Sequence, residues 1–150
     1  MARQTHYDAI IAGAGAGGAT AAYFLGAAGA QALLLEREAL PRYKPCGGAV
    51  PALVYDHFPF PFDGVVECET ERVGYTWCAG QPVSFLLTGR RMTMVMRDRF
   101  DWHIVQHATA EVRDRTRLRA VENGPAGVTV RTDAGETIRA DFLVGADGAA

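Results

Sequence analysis

Residues 7–36, YDAIIAGAGAGGATAAYFLGAAGAQALLLE, decide the fold. Tyr7 to Ala12 is a short apolar run that stops at a glycine cluster, the pattern of a buried parallel strand. From Gly17 to about Ala28 a helix is expected. Ala19, Ala21 and Ala22 give it a face small enough to lie close to a sheet, and Gly26 and Gly29 mark its end. Ala32 to Glu36 then reads as a second buried strand. A strand-helix-strand crossover of this length is right-handed almost without exception.

Between strand and helix, Gly13-Ala14-Gly15-Ala16-Gly17-Gly18 fits G-x-G-x-x-G with glycines at 13, 15 and 18. Gly13 permits the tight turn, Gly15 lets a pyrophosphate approach the backbone, and Gly18 lets the helix pack on the strand. The free N–H groups and dipole of the helix start then face the anion. The bland alternative is a glycine-rich junction with no ligand. Against it stands Glu36, eighteen residues past Gly18 at the end of the second strand. A carboxylate there can accept hydrogen bonds from both hydroxyls of an adenosine ribose and repels a 2′-phosphate. The fingerprint serves FAD and NAD alike.

The rest of the composition excludes several classes. A formal net charge of −2 and a pI near 6.1 supply no basic field for nucleic acid or an anionic membrane. Cys46, Cys68 and Cys78 are an odd number without CxxC spacing, so neither a disulfide framework nor a zinc site is expected, and a reducing cytosol fits. Ala9 to Leu35 has no charged residue but carries six glycines, four of them between Gly13 and Gly18; it reads as soluble sequence, not as a membrane span. His103 and His107 have the i, i+4 spacing of a metal pair, yet Ile104 stands where H-E-x-x-H requires Glu. No metal is expected.

Beyond residue 36 the reading is coarser. Pro41 to Pro51 is a loop by its Pro and Gly content. Ala52 to Gly89 is irregular, with strand-like pieces between Val73 and Leu87. Asp98 to about Ala108 is expected to be helical, with Asp98 as its N-cap and Phe100, Ile104, Val105 and Ala108 on one apolar face. Arg113, Arg115, Arg117 and Arg119 alternate as on the wet face of a strand. Leu118–Glu122 and Gly127–Thr132 flank Asn123-Gly124, a hairpin signal. Thr137–Ala140 follows the Asp133-Ala134-Gly135 turn, and Ala140–Val144 is a last buried strand ending on Gly145-Ala146-Asp147-Gly148.

Arg42-Tyr43-Lys44-Pro45-Cys46-Gly47-Gly48 resembles the loop after the second strand in the geranylgeranyl reductase family. Those enzymes are FAD-dependent and belong to the larger class that includes para-hydroxybenzoate hydroxylase. Met96-Arg97-Asp98-Arg99-Phe100-Asp101 is similar to the family's R-x-x-F-D segment, and Gly145-Ala146-Asp147-Gly148 to its G-A-D-G motif. The resemblance implies FAD, with Gly13, Gly15, Ala16, Gly17 and Gly18 holding the diphosphate and Glu36, with Arg37 beside it, on the adenosine ribose. It further implies Cys46, Gly47 and Gly48 beside the flavin, and Arg97 near the diphosphate. Ala120 would touch the adenine through its backbone, and Asp147 with Gly148 would close over the cofactor. No catalytic residue is indicated beyond the flavin itself. The family's later G-D motif and aromatic-rich substrate segment have no counterpart, so residues 1–150 are expected to be a FAD-binding domain cut from a longer protein.

The expected fold class is α/β, a Rossmann-like FAD-binding domain with a small antiparallel β insertion. The expected reaction is reduction of carbon–carbon double bonds in an isoprenoid or prenylated small molecule, with NAD(P)H or another reductant supplying electrons. The rivals are a flavin monooxygenase or halogenase, and a non-catalytic FAD-binding module. A cytoplasmic protein without a transmembrane segment is expected, brought to a membrane only by a lipid substrate.

Overall fold

The computed structural model describes residues 6–88 and 91–148, so Gly89 at the end of the irregular stretch lies outside the described residues. In chain order the elements are β1 (His6–Ala12), α1 (Ala16–Ala27), β2 (Ala32–Leu35), β3 (Ala49–Pro51), β4 (Val66–Thr70), β5 (Arg72–Tyr75) and β6 (Val83–Leu86). They continue with β7 (Met92–Val95), α2 (Arg97–His107), β8 (Glu111–Arg113), β9 (Leu118–Gly124), β10 (Gly127–Thr132) and β11 (Thr137–Gly145). The chain divides into two units, Met1–Tyr43 with Asp101–Ala150, and Lys44–Phe100.

In the first unit the apolar runs pair as one six-stranded sheet, in the order β8-β2-β1-β11-β10-β9. The β8, β2, β1 and β11 strands are parallel, and β10 and β9 continue the sheet antiparallel. Tyr7, Ile10, Leu33, Leu35, Val128, Val130, Ile138 and Ala140 form its core. The small face of α1 is real, with Gly18, Ala19 and Ala22 buried, while Ala21 is only half-buried. The two strands expected at 137–144 are one: β11 pairs antiparallel with β10 at its start and parallel with β1 from Arg139 to Gly145.

Two further expectations fail here. The hairpin turns at Pro125-Ala126 and not at Asn123-Gly124, because Gly124 pairs with Gly127 and extends both strands. Gly127 has φ +104, and a Cβ there would fall 2.3 Å from the Ala140 carbonyl oxygen, so glycine is required on the far side of that turn. The four alternating arginines are not one strand face. Arg113 ends β8 and is buried, Arg115 turns the chain with φ +49, and only Arg119 lies on β9. Arg113 is held by Glu111 through Nε (2.8 Å) and donates Nη2 to the Tyr7 hydroxyl (2.7 Å).

The second unit is antiparallel, as the expected insertion requires. It holds a three-stranded sheet, β3-β7-β4, and a separate two-stranded ribbon, β5-β6. Tyr55, Phe58, Phe60, Phe62 and Phe100 stack into its aromatic core, with Tyr55 and Phe62 centroids 4.6 Å apart. Among the described residues no helix is long and apolar enough to cross a membrane.

Candidate cofactor-binding site

The carboxyl ends of β8, β2, β1 and β11 lie side by side, at the edge where open α/β sheets bind their ligands. Leaving β1, the Gly13 N–H bonds to the Leu35 carbonyl (2.7 Å) and the Ala14 N–H to Glu36 Oε2 (2.9 Å). Gly15 is the N-cap of α1 and has no side chain to cap with; no acidic residue stands in the first turn. The N–H groups of Ala16, Gly17 and Gly18 therefore lack intrahelical carbonyls and sit at the positive end of the helix dipole. That arrangement accommodates an anion.

The glycines divide by what they touch. Gly13 has φ +99, and a Cβ there would lie 2.6 Å from the Ala146 carbonyl oxygen and 2.7 Å from Asp147 Cα. The Gly145–Gly148 turn thus rests on the glycine turn, tied by the Ala146 N–H to the Ala12 carbonyl (2.8 Å). A Cβ on Gly18 would sit 1.8 Å from the Gly13 carbonyl oxygen, so helix and strand meet there as the fingerprint predicts. Gly17 is exposed, and a Cβ on it would meet nothing within 4 Å.

Glu36 is 4% exposed. Its Oε2 accepts from Ala14 N–H (2.9 Å) and Arg42 Nε (2.9 Å), and its Oε1 from Glu38 N–H (3.1 Å). Burial alone raises a carboxyl's pKa, but the Arg42 guanidinium and the two backbone N–H groups outweigh it and hold Glu36 below its usual range. An ionised carboxylate has about four acceptor sites, so one remains, on Oε1. Both ribose hydroxyls were expected on Glu36; with these three donors in place the carboxylate has one acceptor site left. Arg37 is exposed, its Nε 3.6 Å from Glu38 Oε1.

The other expected residues are scattered. Cys46 and Gly47 are exposed in the Lys44–Phe100 unit, and the Gly48 N–H donates to Cys46 Sγ at 3.5 Å. Gly48 has a packing reason to be glycine: at φ +74 a Cβ would lie 2.2 Å from the Val95 carbonyl oxygen. Gly47 has none, since its Cβ would meet nothing within 4 Å. Arg97 opens α2, half-buried, one residue before the expected cap.

Ala120 requires a correction. It sits on β9, four strands from β2, which at about 4.8 Å per strand is roughly 19 Å across the sheet. It is level with Arg131 and, through it, with Thr137 at the opposite end of β11 from Gly145. The structure does not bring it to Glu36. The segment beside Glu36 is Arg113–Thr116, which sequence reading missed. Glu36 N–H bonds to the Arg113 carbonyl (3.0 Å), Thr116 N–H to the Glu36 carbonyl (2.8 Å) and Arg115 N–H to the Glu38 carbonyl (3.2 Å). Arg42 and Asp101, whose carboxylate Oδ2 lies 3.6 Å from Arg42 Nη1, were missed as well. A signal existed: Asp101 occupies the apolar stripe of α2 with Ile104 and Val105, a place for a buried acid only if it is paired.

His107 Nδ1 lies 2.8 Å from the His103 carbonyl oxygen, and the rings are 4.7 Å apart. Among the described residues no three His, Cys, Asp or Glu are grouped to hold a metal.

Residues 64–150 match the family described as the FAD binding domain. The chain belongs to that family. It is a FAD-binding domain of the kind found in FAD-dependent oxidoreductases, and its cofactor is FAD. The residues fit that group: the open first turn of α1 suits a diphosphate, and an ionised Glu36 with one acceptor site left suits a ribose. The FAD-binding domain is 31% identical over 95% of its length to the geranylgeranyl diphosphate reductase of Rhodobacter capsulatus, covering 38% of that protein. It superposes with TM-score 0.81 and 22% identity on a geranylgeranyl bacteriochlorophyll reductase-like protein from Thermoplasma acidophilum, covering 97% of this chain and 40% of that one. The chondrochloren halogenase CndH, a myxobacterial FAD-dependent halogenase, superposes with TM-score 0.74 and 25% identity, over 95% of this chain and 37% of that one. The kinship expected from the Cys46 loop is thus borne out, and the chain spans about two fifths of the length of these relatives.

Proposed function

We propose that the protein to which this domain belongs reduces carbon–carbon double bonds in an isoprenoid chain. In this reading the N–H groups of Ala16, Gly17 and Gly18 take the FAD diphosphate, and Glu36 takes one ribose hydroxyl through Oε1. Arg113–Thr116, hydrogen-bonded along Glu36 and Glu38, flanks the adenosine end. Asp147, lying against Gly13, and Gly148 after it close over the cofactor. Bound FAD would supply hydride-transfer chemistry, with NAD(P)H or another reductant as the source of electrons and solvent as the source of the proton that saturation also needs. A long apolar substrate calls for an apolar pocket, and it would bring a cytoplasmic enzyme to a membrane surface.

The observation that carries the reductase reading is the Cys46-Gly47 corner. Gly47 is exposed and a Cβ on it would meet nothing within 4 Å, so the corner has room for a ligand to approach its backbone. The identity to the Rhodobacter reductase supports the same reading. The family resemblance assigns Arg97 to the diphosphate. Arg97→Ala is then expected to lower flavin occupancy, while Arg91→Ala, which removes only exposed pairs to Glu69 and Glu71, is not.

A second reading, a flavin halogenase or monooxygenase, is favoured by the likeness to CndH. The two separate in one anaerobic assay of the reduced whole protein with geranylgeranyl substrates. Reductase activity reoxidises the flavin without oxygen as saturated product forms. Flavin that stays reduced until oxygen is admitted supports the second reading and rejects the first.

A further inference from the structure

Glu36 is the residue on which the adenosine end of the site turns, and it does not stand alone. Three donors fix its carboxylate: Ala14 N–H and Arg42 Nε on Oε2, Glu38 N–H on Oε1. Two of the three are backbone groups whose positions follow from β1 and β2. The third is a side chain from the loop beyond β2. Arg42 is mostly buried, with its Nη1 3.6 Å from the buried Asp101 carboxylate on α2. One guanidinium therefore sits between two buried carboxylates. Its planar fork aims Nε at one and Nη1 at the other, a task for which a lysine's point charge is poorly shaped.

We infer that Arg42 is a positioning residue for cofactor binding. It occupies Glu36 Oε2, keeps the carboxylate charged, and so leaves the remaining acceptor site of Oε1 for one ribose hydroxyl. The inference rests on the reading of Glu36 as the ribose acceptor. Arg42 itself touches no cofactor atom in this account. Without it, burial would favour the protonated carboxyl, whose O–H is a donor, and the carboxylate would be free to turn toward other partners. Asp101 faces the far end of the guanidinium at ion-pair distance, 3.6 Å from an Nη1 that makes no hydrogen bond of its own.

The test compares two probes on the purified protein after its flavin has been removed. Inorganic pyrophosphate offers a diphosphate alone, and ADP offers a diphosphate with an adenosine ribose. Calorimetric titration gives the ratio of their affinities, in which the general loss of a positive charge cancels. Wild type should favour ADP. Arg42→Ala should lower that preference about tenfold while pyrophosphate binding changes little. In a Glu36→Gln background, where the acceptor is already impaired, Arg42→Ala should leave the ratio unchanged. If Arg42→Ala does not fold, Arg42→Lys, which keeps the charge but not the fork, is read the same way. Equal loss for both probes makes Arg42 structural and overturns the positioning role alone. A ratio that still falls in the Glu36→Gln background means Arg42 meets the ribose directly, which also overturns it. Wild type that binds ADP no more tightly than pyrophosphate rejects the ribose reading of Glu36 itself.

Discussion

Glu36 keeps its charge in a buried place because three donors outweigh the cost of desolvation. That makes it a source of acid sensitivity. A carboxyl whose folded pKa lies below its unfolded value of about 4.5 stabilises the fold above that value. The contribution is lost as pH falls through the depressed folded pKa. Glu36→Gln should therefore be less stable than wild type near neutrality, and the gap should narrow below about pH 4.5 in urea melts read across pH. A gap that stays constant down to pH 3 would mean that Glu36 acts through its shape and not its charge. Glu36 was legible in the sequence because its distance from Gly18 and its place after an apolar run mark the end of β2. Arg42 was not, because a loop read from Pro and Gly content says nothing about which side chain folds back. Ala120 was misplaced because its role came from resemblance alone, and one strand misassigned across a sheet displaces a residue by many ångströms.

At the scale of the element, the turn between β1 and α1 separates glycines that the fold needs from one it does not. Gly18→Ala would push a Cβ to 1.8 Å from the Gly13 carbonyl oxygen, forcing helix and strand apart. A loss of about 1–3 kcal/mol, or failure to fold, is expected. Gly17→Ala meets open space within a helix and should be neutral or raise stability by up to about 1 kcal/mol. Chemical denaturation of the two variants side by side checks this. Equal destabilisation would show that the turn is wrongly built. The βαβ unit was readable because apolar periodicity, glycine spacing and small helix residues all agree. β8 was not, because three residues give no period, and the alternation of Arg113 to Arg119 imitated a strand that Arg115 in fact breaks. The β9–β10 turn was misread by two residues because Gly124 and Gly127 serve the ladder itself.

At the scale of the whole molecule, the two units differ in how well their strands are covered. In the first, β1 and β2 bury nearly every residue. In the second, the β5–β6 ribbon buries none; Trp77 beside it is 87% exposed, and Tyr75, Val83, Phe85 and Leu86 are exposed as well. A lone two-stranded ribbon is marginal in water. Its amides should exchange with solvent through local opening near zero cost, while those of β1, β2 and β11 should exchange only at the global unfolding free energy. Hydrogen exchange read by mass spectrometry decides it; protection of β5–β6 equal to that of β1 would contradict the packing described. The second unit was only partly readable, since β4 buries no residue and the alternation of β7 puts a polar Thr93 on its buried side with Val95. The first unit holds the glycine turn, Glu36 and the Gly145–Gly148 turn at one sheet edge, and it is on this unit that the central claim stands.

That claim is that the site binds FAD. The most direct measurement is mass spectrometry of the small molecules released when the purified whole protein is denatured. FAD in near-stoichiometric amount is the predicted result, with its loss in Glu36→Gln. Release of FMN or a nicotinamide dinucleotide in its place, or of no dinucleotide at all, would contradict it.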